Sequence, residues 1–240
     1  VMNLLYLTTE SDGALTLDQL LRGPLSLSAR EVREAKRLGL TVDGAPFFAN
    51  QRIGAGRTVA IPLAEYDMPK VFSAPAEVDI LYQDDALIAV RKPAPLQVHP
   101  SPSAPRGADT LEGRVQSYLR GGAHPVHRLD AETTGIVLFA KLPYVQAHIQ
   151  RQMQADTFRK EYLALVCGVL PESEGVIDAP IDRVAPDSFT RAVLPGGQRA
   201  VTRYRVEAAL RDISLVRLFP VTGRTHQLRV HMAHIGHPLL

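Results

Sequence analysis

One stretch of the chain, His127-Arg128-Leu129-Asp130-Ala131-Glu132-Thr133-Thr134-Gly135, sets ionisable and hydroxyl groups directly against the apolar run 136–140. A carboxylate in a loop just before a buried strand rests on rigid scaffold. Beside a cation it stays ionised and can act as nucleophile or general base. Asp130 therefore has two readings, a reacting carboxylate or a turn residue, because Asp and Thr-Thr-Gly are also ordinary turn formers. A second stretch, Thr222-Gly223-Arg224-Thr225-His226-Gln227-Leu228-Arg229-Val230-His231, lies in a tail with no Asp or Glu from residue 213 to 240, although Arg217, Arg224 and Arg229 fall within it. Such guanidinium groups call for a carboxylate from elsewhere in the chain or for an anionic ligand. Arg229 suits a pairing with Asp130 as well as a surface position, and Arg224, at a helix entrance, suits a phosphate.

Tyr162, in Arg159-Lys160-Glu161-Tyr162-Leu163-Ala164-Leu165-Val166, opens an apolar run and reads either as a core ring or as a ring that stacks on a base. His231 and His234 have the one-turn spacing of a shared metal site. However, no neighbouring carboxylate completes a ligand set, and Arg224 and Arg229 oppose a dication. The tail histidines are read as structural, with no metal expected.

These residues need elements to hold them. Leu17, Leu20 and Leu21 carry helical spacing and Gly23-Pro24 stops that helix; Ser28, with Glu31 three residues on, caps a second. Asp43-Gly44 marks a turn after 40–42, and 57–61 reads as a strand, giving a small ααβ-type unit. Its second helix presents Arg30, Arg33, Lys36 and Arg37, either as a solvated face balanced by Glu31 and Glu34 or as a phosphate-contacting one. Pro-rich 62–75 reads as a linker, and Pro-rich 93–105 as a loop within a domain. Beyond the linker, 78–82 and 86–90 read as a hairpin, 135–141, 162–166 and 215–219 as strands, and 143–153 as a helix. Thr225 is expected to cap a last helix with Leu228, Met232 and Ile235 on its apolar face. Strands outnumber helices without alternating regularly with them, which is an α+β order and argues against a parallel doubly wound sheet.

Composition sets outer limits. The 240 residues, 45% hydrophobic and 22% charged, suffice for a true core and exclude a disordered chain or a disulfide mini-scaffold. The net charge is only +2, so anion binding must depend on where charges lie. Cys167 is the single cysteine, which forbids an intrachain disulfide and fits a reducing compartment. The opening segment VMNLLYLTTE is too short to span a bilayer and lacks a signal-peptide pattern, so a cytoplasmic location is expected.

Four segments together carry a strong resemblance to the RluA-type pseudouridine synthases. They are Ile80-Leu81-Tyr82-Gln83-Asp84-Asp85 leading to Arg91-Lys92-Pro93 and Val98-His99-Pro100, then HRLDAETTGIVLFAK from His127, KEYLALVCG from Lys160, and TGRTHQLRVHMAHIGHPLL from Thr222. The resemblance covers roughly residues 77 to 240 and implies a mixed, mostly antiparallel central sheet with flanking helices. It further implies isomerisation of specific uridines in structured ribosomal or transfer RNA, without cofactor. It makes Asp130 the catalytic aspartate, Tyr162 the tyrosine on the target base and Arg229 the partner of the aspartate. Arg128 would replace the flipped nucleotide in the RNA, a task suited to a side chain that stacks and binds phosphate. Arg224, His226 and Lys92 would lie against the RNA. No obligatory protein partner or membrane is implied, and a monomer suffices.

Residues 1–62 resemble, more weakly, the alpha-L RNA-binding module, through Leu25-Ser26-Leu27-Ser28 and Thr41-Val42-Asp43-Gly44. The expected division is thus 1–62, a linker over 63–76, and a catalytic domain over 77–240. Acids and bases balance over residues 1–75, which speaks against strong independent RNA binding. Thr134 stands where the family more often has serine, and Arg91 where it has asparagine. The family commonly continues past His237-Pro238-Leu239-Leu240, so the catalytic domain is expected to lack its C-terminal end. The competing expectation is an RNA-binding or remodelling protein on the same fold with little catalysis.

Overall fold

The computed structural model describes residues 2–25, 27–63, 77–101, 104–105, 107–155 and 157–240. The expected linker lies outside these residues, save Leu63. Two compact units are present, Val1–Arg151 and Gln152–Leu240, so the small N-terminal part and the Asp130 loop belong to one unit. The strands are β1 (Met2–Leu7), β2 (Thr41–Val42), β3 (Ala45–Pro46), β4 (Thr58–Leu63), β5 (Asp79–Gln83), β6 (Leu87–Lys92), β7 (His124–Pro125), β8 (Gly135–Ala140), β9 (Tyr162–Cys167), β10 (Glu174–Asp178), β11 (Ile181–Arg183), β12 (Arg191–Val193), β13 (Val201–Leu210) and β14 (Ile213–Pro220). The helices are α1 (Leu17–Arg22), α2 (Ala29–Leu38), α3 (Leu111–Leu119), α4 (Pro143–Gln154) and α5 (Gln227–His234). The four sheets run β1-β4-β2-β3, β5-β6-β8-β7, β10-β13-β14-β9 and β11-β12, and their described ladders are antiparallel, the α+β class that the sequence implies.

Both N-terminal helices begin with reciprocal caps. Thr16 Oγ accepts from the Gln19 amide while the Gln19 side chain accepts from the Thr16 amide, and Ser28 and Glu31 do the same for α2. Leu17, Leu20, Leu21, Val32 and Ala35 are thereby turned into one core with Val59 and Ile61, joined by Leu142 and Tyr144. Asp43 and Gly44 both take positive φ, 50° and 79°, the requirement of a two-residue hairpin turn. β1 is an addition to the expected ααβ unit, pairing along the whole of β4.

In the second sheet, Ile88, Val90, Val137 and Phe139 alternate inward and are buried. At the end of β6 lies Lys92, which is fully buried. Its Nζ donates to the carbonyl oxygens of Pro93 at 2.9 Å, Leu96 at 2.6 Å and Ala131 at 2.7 Å. An ammonium has three donors, and all are spent. This corrects the expectation that Lys92 contacts RNA: its charge is enclosed, and it ties the 93–96 turn to the loop that carries Asp130. Leu96 N also donates to Ala131 O at 3.1 Å.

In the second unit, β9, β13 and β14 bury Val166, Val216 and Leu218 beneath Met232 of α5. His231, on α5, is fully buried. Its Nε2 lies 2.9 Å from Ala179 O, which can only accept, so Nε2 carries the hydrogen and Nδ1 accepts from Thr202 Oγ at 2.9 Å. Burial pushes its pKa down, as suits a neutral ring with these two partners.

Two predictions follow from these buried polar groups. Lys92→Met removes a donor from all three carbonyls, leaving Ala131 O only its bond from Leu96 N, and should cost about 3–5 kcal/mol in urea unfolding. His231→Leu should cost about 2 kcal/mol through the stranded Ala179 and Thr202 groups. The unfolded chain protonates His231 near pH 6.5 while the folded chain resists it, so the wild type should lose stability as pH falls from about 7 to 5. The leucine variant should lack that part of the slope, read from urea midpoints at the two pH values.

Candidate active site

The Asp130 loop is built on the strand that follows it. Asp130 O accepts from Thr133 N at 3.0 Å, closing a turn, so both sequence readings meet here: the backbone makes the turn and the carboxylate stays half-buried. Gly135 takes φ 139°, and a Cβ there would lie 3.5 Å from Leu129 Cδ1. Leu129 is buried, so the chain turns into β8 over its own apolar anchor. His127 Nε2 accepts from Leu138 N at 3.3 Å, bracing the loop's start on β8, while Arg128 is exposed. Burial lowers the Lys92 pKa, and the negative charges of Glu132 and Asp130 oppose that shift. The buried ammonium thus feels the carboxylate whose loop it holds.

The second unit places Tyr162 at the start of β9, opposite Leu218, half-buried against the core of Val166, Val216, Leu218 and Met232, on which Leu228 and Ile235 also pack. Arg229 lies exposed on α5, and Arg224 is exposed before it. The turn leading into α5 is locked by Gln227, a residue that the sequence reading passed over. Its Nε2 donates to Val201 O at 2.9 Å and Thr202 Oγ at 3.0 Å. Its Oε1 accepts from the Arg224 amide at 2.9 Å and the Thr222 hydroxyl at 2.8 Å. Only a buried amide with both donor and acceptor ends can make that set. The expected Thr225 cap is not formed: His226 occupies the cap position with φ 56° and no side-chain cap bond, and Gln227 ties the turn instead.

Ion pairs change one further expectation and bear on a choice left open. Arg217, grouped by sequence with the uncompensated cations, ion-pairs with Glu161 and with Glu207, the latter at 2.7 Å, because the residue just before β9 and the neighbouring β13 supply acids that the tail lacks. On α2, Lys36 pairs with Asp18 at 2.6 Å and Arg37 with Glu34 at 2.5 Å, so the solvated-face reading accounts for both. His237 Nδ1 donates to Cys167 O at 2.9 Å, a structural role like that of His231. The site residues are therefore distributed: Lys92, Arg128 and Asp130 in the first unit, Tyr162, Arg224, His226 and Arg229 in the second.

Residues 86–234 match the family profile described as RNA pseudouridylate synthase. The protein named uncharacterized RNA pseudouridine synthase YhcT, of Bacillus subtilis, is 36% identical over 197 residues, covering 79% of this chain and 65% of that protein. Ribosomal large subunit pseudouridine synthase D of Nitrosomonas europaea is 38% identical over 204 residues, covering 83% of this chain and 59% of that protein. The chain thus spans 65% and 59% of these two relatives' lengths. Among solved structures, human RNA Pseudouridylate Synthase Domain Containing 4 aligns with TM-score 0.56 and 31% identity over 68% of this chain and 66% of that one. Human RNA Pseudouridylate Synthase Domain Containing 1 aligns with TM-score 0.58 and 26% identity over 70% and 69%. With the profile spanning more than half of its residues, the chain belongs to the RNA pseudouridylate synthase family.

Proposed function

We propose that this protein isomerises specific uridines of structured ribosomal or transfer RNA to pseudouridine. The observation that carries this reading is the Asp130 loop, where a half-buried carboxylate sits on a turn clamped by a buried ammonium, within the segment matched by the family profile. In the reaction the N1–C1′ bond breaks, uracil turns, C5 bonds to C1′, the C5 proton leaves and N1 gains one. Oxidation state is unchanged, so no cofactor is needed. Asp130 either attacks C1′ or removes a ribose proton, both of which need it ionised in a site closed to water. Arg229 is the cation that pairs with it, Tyr162 packs on the base, and Arg128 fills the place of the extruded nucleotide. Arg224 and His226 lie against the RNA chain.

The division into a 1–62 module, a linker over 63–76 and a catalytic domain from residue 77 is part of the same reading, as are a monomeric state and a cytoplasmic place of action. No helix among the described residues is long and apolar enough to cross a membrane.

Pseudouridine mapped across ribosomal and transfer RNA, in cells with and without the protein, should differ at one or a few sites; no difference would overturn the activity. Asp130→Asn should abolish conversion at those sites, by at least about 10³-fold as expected for a lost covalent or general-base catalyst, while RNA affinity stays within about twofold. Turnover equal to wild type would remove Asp130 from the reaction.

A further inference from the structure

Lys160 is half-buried and lies two residues ahead of Tyr162. Glu161, between them, ion-pairs with Arg217, which stands opposite the exposed Leu163 on the outer side of the β9–β14 ladder. Side chains alternate along an extended segment, so Lys160 shares the inner side with Tyr162. Its Nζ lies 3.5 Å from where a Cβ on Gly223 would stand, against the turn that Gln227 locks. Among the described residues Lys160 makes no hydrogen bond or ion pair. Its one adjacent acid is engaged on the other side, and the tail it faces carries no acid from residue 213 on.

Burial holds its pKa below the ordinary lysine value, which is the cost of an ammonium withdrawn from water without a counter-charge. An anion that enters beside Gly223 cancels that cost and gains a charge-assisted hydrogen bond, and the missing side chain at 223 leaves room for its approach.

We infer that Lys160, with the Gly223–Arg224 turn, binds a phosphodiester of the RNA chain next to Tyr162. This inference rests on the reading of the protein as an enzyme of RNA, and it adds a binding residue to that site. The phosphate fixes where the backbone of the target nucleotide runs when its base packs on the tyrosine. A lysine serves here as a compact point charge, in contrast to Arg224, which is exposed and anchored by its Nε to Arg199 O at 2.9 Å.

The chain has five lysines, so [13Cε]lysine labelling gives few signals, each assignable by single Lys→Arg replacement. In the full chain, uridine 5′-monophosphate should raise the titration midpoint of the Lys160 signal, and uridine should not. A missing response, or an equal response to uridine, overturns the inference. For binding to a large-subunit ribosomal RNA transcript, Lys160→Met should weaken Kd about tenfold and make the plot of log Kd against log salt shallower by about one phosphate contact. Lys160→Arg should recover most of both, and thermal unfolding should show the methionine variant folded. An unchanged salt slope in Lys160→Met also overturns the inference. If the wild-type chain makes no pseudouridine yet the nucleotide response and the slope change are present, the activity reading falls and the phosphate site stands.

Discussion

The Asp130 loop owes its position to one buried charge. Enclosing an ammonium costs several kcal/mol unless its donors are satisfied, and Lys92 satisfies all three on carbonyls of two loops that no sheet ladder reaches. Each carbonyl, in turn, would be costly to bury without a donor. The clamp is therefore mutual: the loops need the lysine and the lysine needs the loops. A methionine or leucine of similar volume fills the space but cannot bridge three oxygens. The catalytic reading of Asp130 depends on this, because a carboxylate that must meet a sugar carbon within tenths of an ångström requires a loop with one conformation.

The second unit solves the same problem with a neutral group. Gln227 is 4% exposed and joins Thr222, Arg224, Val201 and Thr202 through one amide. His231 adds two bonds between α5 and the segments at Ala179 and Thr202. Here no carboxylate has to be oriented; instead a turn that presents cations must be kept from moving. A charged anchor in that place would add to a local excess of positive charge, whereas an amide supplies donors and acceptors at no electrostatic cost.

What was legible in the sequence follows from how local its cause is. The α2 cap is written in Ser28 and Glu31, the hairpin turn in Asp43-Gly44, and β8 in an unbroken apolar run, and each lies close to where it was expected. β10 and β13 escaped notice because Glu174, Asp178, Arg203, Arg205 and Glu207 interrupt the apolar pattern; their pairing through five successive partners is a tertiary fact. Lys92 was misread for a related reason. The family pattern around Arg91-Lys92-Pro93 points to an RNA contact, and nothing local reveals three carbonyls converging on Lys92, one of them from a residue 39 positions away. Arg217 was counted as uncompensated since its acids, Glu161 and Glu207, sit 56 and 10 positions distant. The candidate reacting residues were readable as types and as a family pattern, but the groups that immobilise them were not.

The near-neutral net charge acquires a different meaning once the ion pairs are placed. Arg22 and Lys36 share Asp18, Arg37 takes Glu34 and Arg57 takes Asp43, so much of the N-terminal positive charge is matched within its own surface. Exposed pairs of this kind add about 0–1 kcal/mol to stability, but they cancel the local field that would attract a polyanion. Arg128, Lys160 and Arg224 take part in no ion pair among the described residues, and each stands in a segment that carries the family resemblance. The net charge of +2 therefore does not by itself set the affinity for phosphate, which follows where cations such as these three stand without a carboxylate rather than the sum over the sequence.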